Sequence, residues 1–208
     1  MVKSKIDVKV VLLGWSSVGK TCIVQRLMYN QFGDTSTTIG GAFSSKRVSV
    51  GDVDVLLGIW DTAGTERYQA VNRSYYRRAN AAIVCYDLTN YESWDKVKFW
   101  IDELTTNEPD IEIYIIGTKL DLVKDNTEPR AVPIEKVREL AERYRAHTFE
   151  TSSKTGENIP ELFQTIAENF CKKYPQGIVT SNGSKNNSSV NLQDNNNNGN
   201  KKASSGCC

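Results

Sequence analysis

No stretch of this 208-residue chain holds the ~18 to 20 consecutive apolar residues that cross a bilayer, so no spanning helix is expected. Net charge is nearly absent too: 26 Lys and Arg against 25 Asp and Glu leave +1. That balance argues against the strongly basic face of a general nucleic-acid binder. The opening "MVKSKIDVKVV" lacks the apolar segment and small-residue cleavage site of a secretory signal, and a cytosolic address is expected. None of the five cysteines has a zinc-ligand spacing. Cys22, Cys85 and Cys171 stand alone in apolar or helical contexts and are expected as buried free thiols. Histidine occurs once, as His147 at the head of "HTFETSS", and a structural role is expected for it. There is no internal repeat.

Large apolar residues become scarce after residue 175. The Asn/Ser/Gly-rich stretch 176–208 cannot bury enough surface to offset its ordering entropy, and it is expected to be disordered. Residues 1–175 form the candidate domain. "VKVVLL" is a buried-strand run ending in a glycine loop, and residues 19–30 follow as a helix. "KRVSVGDVDVLLGIW" reads as two strands joined at Gly51 and Asp52. "AAIVCYD" and "IEIYIIGTK" are continuous apolar runs of the kind covered on both faces. Helical stripes place Ile134, Val137, Leu140, Ala141 and Tyr144 on one face, and Ile159, Leu162, Phe163, Ile166 and Phe170 on another. "KVKFWIDEL" is amphipathic, with Trp100 toward the core and Asp102 and Glu103 on a solvated face. Strands alternating with helices predict an α/β domain with a mostly parallel sheet, and ligands there sit beyond the carboxyl ends of the strands.

The first strand ends in "GWSSVGKT", residues 14–21, which matches G-x-x-x-x-G-K-[ST] between a strand and a helix. Such a loop turns backbone N–H groups inward, and the helix N-terminus adds partial positive charge; together they cradle phosphate oxygens. Gly14, Ser16, Ser17, Val18, Gly19 and Cys22 belong to this cradle or border it. Lys20 is placed to reach the β- and γ-phosphates, and the Thr21 hydroxyl to ligate Mg²⁺. In "DTAG", Asp61 is the second candidate for the metal, through a water. Gly64 follows where a backbone N–H can meet a γ-phosphate, so that losing the phosphate frees the loop. An ordinary polar turn is the plainer reading of the same four residues.

"GTKLD" ends another apolar strand. The Asp121 carboxylate can accept from the N1–H and 2-amino groups of guanine, whereas adenine would leave that buried charge unpaired. The Lys119 stem can lie along the ring. "ETSSKTG" follows a further strand, with Ser152, Ser153 and Lys154 placed to close the pocket.

From about residue 6 to 174 these motifs resemble a Ras-type small GTPase, and more narrowly a Rab. The narrower likeness rests on "IGGAF", "IWDTAG", "RYQAVN", "YYRRA", "CYDLT" and the terminal "CC". The resemblance implies a P-loop NTPase fold with one antiparallel strand and helices on both faces of the sheet, binding GTP or GDP with Mg²⁺. It makes Thr38 the residue that completes the magnesium shell, and Phe32 the aromatic edge of the base pocket. Ile39, Phe43, Trp60 and Tyr75 fall on the effector surface; the last three match the Rab aromatic triad, with a core position as the other reading. Residues 67–79, beginning at Arg67, would include the second switch.

Three positions depart from the family. Thr65 stands where Rabs usually carry the glutamine that orients the attacking water, and slow intrinsic hydrolysis is expected. Thr118 replaces the asparagine that contacts the base and steadies the phosphate loop; fewer bonds, less reach and weaker nucleotide affinity are expected. Ser17 replaces a glycine, at a cost in strain if its φ is positive. Trp15 has no account from sequence. The paired substitutions resemble a divergent Rab branch associated with late endosomal and autophagic membranes.

Cys207 and Cys208 resemble the double-cysteine end of Rabs, where both thiols are geranylgeranylated; two chains anchor where one is marginal. The implied partners are effectors, an exchange factor, an activating protein, a prenylation escort and a GDP-dissociation inhibitor. They would act at the cytoplasmic face of endomembranes, with a cytosolic pool. Two other functions compete: a nucleotide-binding but catalytically idle scaffold, suggested by Thr65 and Thr118, and an ATP-dependent kinase, which the guanine-type pocket disfavours.

Overall fold

The apolar runs become neighbouring strands of one sheet. Residues 4–64 and 69–175 are described in a computed structural model of the chain. Six strands, β1 (Ser4–Gly14), β2 (Gly41–Val50), β3 (Val53–Thr62), β4 (Ala81–Asp87), β5 (Glu112–Thr118) and β6 (His147–Glu150), lie in the order β2-β3-β1-β4-β5-β6. Only the β2–β3 pair is antiparallel, as expected for strands joined by a two-residue turn. Gly51 sits at the first turn position with φ 56, the positive value that such hairpins require. Central β4 is buried along its whole length, while edge strand β2 is exposed or half-buried throughout.

Helices cover both faces. On one, Val8, Val10 and Leu12 pack with α1 (Lys20–Tyr29) and α7 (Ile159–Lys173), whose Ile159, Leu162, Phe163, Ile166 and Phe170 are all buried. On the other, Val11, Leu13 and Val84 pack with Trp94 of α3 (Tyr91–Asp95), Trp100 of α4 (Val97–Asn107), and Val137 and Ala141 of α6 (Ile134–Tyr144). Helices α2 (Gln69–Tyr76) and α5 (Leu120–Lys124) complete the described elements. Between α1 and α7 on one side and α4 on the other, β1 is flanked by β3 and β4. Its carboxyl end is therefore the point where strand order reverses and a crevice opens.

Two expectations need correction. Cys85 is buried, but Cys22 and Cys171 are only half-buried, because they lie on the rims of α1 and α7. Glu103 does not simply face solvent: it accepts from Tyr76 O–H (2.7 Å) and Arg73 Nε–H (2.9 Å), which hold its carboxyl below the usual range. Asp102 accepts from Tyr144 O–H at 2.6 Å and keeps 46% of its side chain exposed, on the solvated face expected for it. His147 stacks on Tyr114 (4.8 Å between centroids) and meets Glu112, at the amino ends of the strands, away from the crevice.

Candidate functional site

The phosphate loop is shaped by three backbone requirements. Gly14 has φ 140, and a Cβ there would lie 2.3 Å from the Cys85 carbonyl oxygen, so the loop leaves β1 without a side chain. Gly19, at φ 93, starts α1 with no side-chain cap. The first N–H groups of the helix are thus left for a ligand. Ser17 has φ 61, which settles the strain question: a serine occupies the left-handed region, at about 1 to 2 kcal/mol.

Within this loop Lys20 is 6% exposed and donates to the carbonyls of Gly14 (3.0 Å) and Trp15 (2.8 Å). Burial pushes its pKa down, while the Asp61 carboxylate pushes it back up. Trp15 also finds its account here. Its ring lies under the Lys96 ammonium, 5.1 Å from the centroid, and packs against the core below.

Thr21 Oγ1 lies 2.8 Å from Thr38 Oγ1 and donates to Asp61 Oδ2 at 2.7 Å. Asp61 is 3% exposed, and its Oδ1 is buried without a hydrogen-bond partner among the described residues. Burial raises the Asp61 pKa, against the Thr21 hydrogen bond and the charge of Lys20. Two hydroxyls and a carboxylate with an unsatisfied oxygen make a hard donor set that fits a small divalent cation. Beside it Gly64 lies against the loop: a Cβ there would come within 2.6 Å of Ser16 N and Cα and of the Trp15 carbonyl oxygen. Ala63 N–H donates to the Gly40 carbonyl at 2.8 Å, and Thr62 O–H to that of Leu12 at 2.6 Å.

At the other end of the crevice, Asp121 is buried and accepts from Ser152 O–H at 2.6 Å; Lys154 Nζ stands 3.9 Å from its other oxygen. Lys119 adopts φ 62 and pairs with buried Asp87 at 2.6 Å, which aims its stem along the pocket wall. Thr118 reaches further than the sequence suggested. Its hydroxyl approaches the Val18 carbonyl at 2.6 Å and the Tyr86 carbonyl at 3.0 Å, so it ties β5 to the phosphate loop and to β4. The loop-steadying contact is thus present.

One cavity of about 490 Å³ joins both ends. It is lined by Ser16, Ser17, Val18, Gly19, Lys20, Thr21 and Cys22, by Phe32 and Thr38, by Gly64, and by Thr118, Lys119, Asp121, Ser153 and Lys154. Gly14, Asp61 and Ser152 lie behind this lining and shape it. Sequence reasoning missed Thr35, Ser36, Thr37, Thr62 and Leu122, which also face the cavity. The polar run "DTSTT" between Phe32 and Ile39 was the available signal for the first three. Ile39 is 88% and Phe43 58% exposed. Phe43, Trp60 and Tyr75 form one row of rings, with centroids 5.1 and 5.6 Å apart. Trp60 is half-buried in the middle, so the surface and core readings each describe one of its faces. Thr65, Arg67, Cys207 and Cys208 lie outside the described residues.

The sheet, the glycine loop at its reversal point and the cavity beyond define a P-loop nucleotide-binding fold. A family model described as Ras family matches residues 9–172. The chain is 70% identical over 187 residues to "Ras-related protein Rab-24" of Dictyostelium discoideum, covering 90% of this chain and 92% of that one. It is 44% identical over 173 residues to "Ras-like GTP-binding protein RYL2" of Yarrowia lipolytica, covering 81% and 83% respectively. With "GTP-binding protein YPT53" of Saccharomyces cerevisiae it shares 43% over 167 residues, 78% and 76% of the two chains. The chain belongs to the Ras family and, within it, to the Rab small GTPases. It is accordingly a guanine-nucleotide-binding, GTP-hydrolysing protein of membrane trafficking, a class that works with regulatory and effector partners at endomembranes.

Proposed function

We propose that the cavity takes GTP or GDP lengthwise, with the phosphates at the α1 N-terminus and guanine at Asp121, and that the nucleotide state sets the shape of the segments carrying Thr38 and Gly64. The observation that carries this is the convergence of Lys20, Thr38, Gly64 and Asp121, from four separate segments, on one cavity. Lys20 would neutralise the β- and γ-phosphates. Thr21 and Thr38, with Asp61 behind them, would hold Mg²⁺, which supplies charge neutralisation when bound. The N–H of Gly64 would meet the γ-phosphate, and the Phe43–Trp60–Tyr75 row would be read by an effector.

Intrinsic hydrolysis is slow in this reading, because the short, branched Thr65 cannot both hold a water and reach the transferring group. Thr65→Gln is expected to raise single-turnover GTP hydrolysis by about ten- to thousandfold without a partner. Wild-type turnover already at the level of glutamine-bearing Rabs would overturn the proposal. An idle scaffold would show no hydrolysis even with an activating protein added. Bound-nucleotide analysis of protein isolated from cells tests the base directly: guanine nucleotide is expected, and adenine nucleotide would refute the pocket assignment.

Residues 1–175 act as the switch domain, and the stretch 176–208 carries the anchor. Geranylgeranyl groups on Cys207 and Cys208 hold it to an endomembrane, late endosomal or autophagic by its likeness to the divergent branch. Intact mass of the chain from a eukaryotic cell should show both lipids, and an unmodified terminus would remove the anchor.

A further inference from the structure

Arg26 lies on α1 six residues beyond Lys20, about 9 Å further along the helix. Among the described residues no carboxylate pairs with it. Among the described residues its guanidinium donates to oxygens of two segments, one lining the far end of the cavity and one leading into it. Nε–H donates to the Ser153 carbonyl at 2.6 Å and Nη2 to the Lys154 carbonyl at 2.6 Å. Nη1 donates to the carbonyl (3.0 Å) and side-chain oxygen (2.9 Å) of Asn30. Asn30 is itself the left-handed cap of α1, its N–H returned to the Arg26 carbonyl at 3.0 Å. Gly156, at φ 89, folds the loop back so that a Cβ there would lie 3.6 Å from Arg26 Cδ.

Ser153 and Lys154 line the cavity, and so does Phe32, two residues after Asn30. One planar guanidinium therefore grips both jaws of the slot in which Asp121 sits, from outside the slot and with no atom in it. Charge-assisted bonds to fixed carbonyls are the strong kind, and the fork geometry lets one rigid group fix two chain segments at once. Ser152, which bonds Asp121, is held by the same loop, with Gly156 N–H donating to its carbonyl at 2.8 Å.

We propose that Arg26 is a positioning residue for the base: it sets the width of the slot by clasping the 153–154 backbone to Asn30 at the end of α1, and so governs base-dependent retention of nucleotide. This rests on the guanine reading above. In full-length protein, Arg26→Ala should speed release of fluorescently labelled GDP by about ten- to hundredfold. Because the clasp acts through the base jaw, the preference for GDP over IDP, which lacks the 2-amino group, should collapse toward equality. The fold-change should be the same when Mg²⁺ is chelated, and amides of residues 152–157 should exchange faster with deuterium. Arg26→Lys, with one nitrogen for two segments, should fall between and covers the case in which the alanine variant does not fold. Release of GDP and IDP accelerated equally would make Arg26 merely structural and overturn the proposal, as would unchanged release. Wild-type protein that binds no guanine nucleotide would instead defeat the guanine reading itself.

Discussion

Gly64→Ala is expected to lower single-turnover GTP hydrolysis by about 100-fold, near 3 kcal/mol, while GDP affinity stays within about threefold. The added methyl would stand 2.6 Å from Ser16 N, Ser16 Cα and the Trp15 carbonyl oxygen. All three are main-chain atoms of a loop pinned by Lys20 and Thr118, so neither partner can yield. The segment carrying Gly64 must lift off the loop, and its N–H leaves the place where a γ-phosphate would meet it. GDP offers no such group and should hardly register the change. Contrast Gly41, where the obstacle is the Tyr75 ring at 2.7 Å, a side chain that can swing away. Hydrolysis at the wild-type rate in the alanine variant would show that the seat on the loop has no part in turnover.

Asp121→Asn should weaken guanine-nucleotide binding by about a thousandfold or more and leave the fold intact. Asp121 is 7% exposed, and one of its oxygens is engaged by Ser152. An amide keeps an oxygen for that hydroxyl but turns an NH₂ donor toward the donors of guanine. Two donors then face each other with no water to relieve them. Xanthine, which carries a carbonyl in place of the 2-amino group, should gain relative to guanine. Competition titrations with GDP and xanthosine diphosphate measure both effects; an unaltered guanine affinity would remove Asp121 from the base site.

The parts of the molecule carried by periodicity and by contiguous motifs were legible in the chain. The continuous apolar runs of β4 and β5 could only be strands covered on both sides, and the α7 stripe is buried at every residue named for it. The phosphate loop and the base-reading segment are short words in sequence, so their residues could be listed before their geometry was known. What escaped depends on backbone atoms and on distance along the chain. Thr118 looked like a loss because its partners, the Val18 and Tyr86 carbonyls, are oxygens that every residue possesses. Arg26 gave no signal for the same reason: its acceptors on Ser153 and Lys154 lie 127 and 128 residues away and are main chain. The positive φ of Ser17 is a property of the turn and not of the side chain. Helices α3 and α5, five residues each, are too short for a 3.6-residue period to declare itself.

The hydrogen bond from Ala63 to Gly40 has a mechanical corollary. It extends the β2–β3 ladder by one rung, past the Gly41–Thr62 pair, toward the segments just outside the strands that bear Thr38 and Gly64. The two levers hinge on a common axle. A binding partner that grasped only one of them would therefore sense the position of the other, and the loss of one phosphate would reach it as one undivided signal.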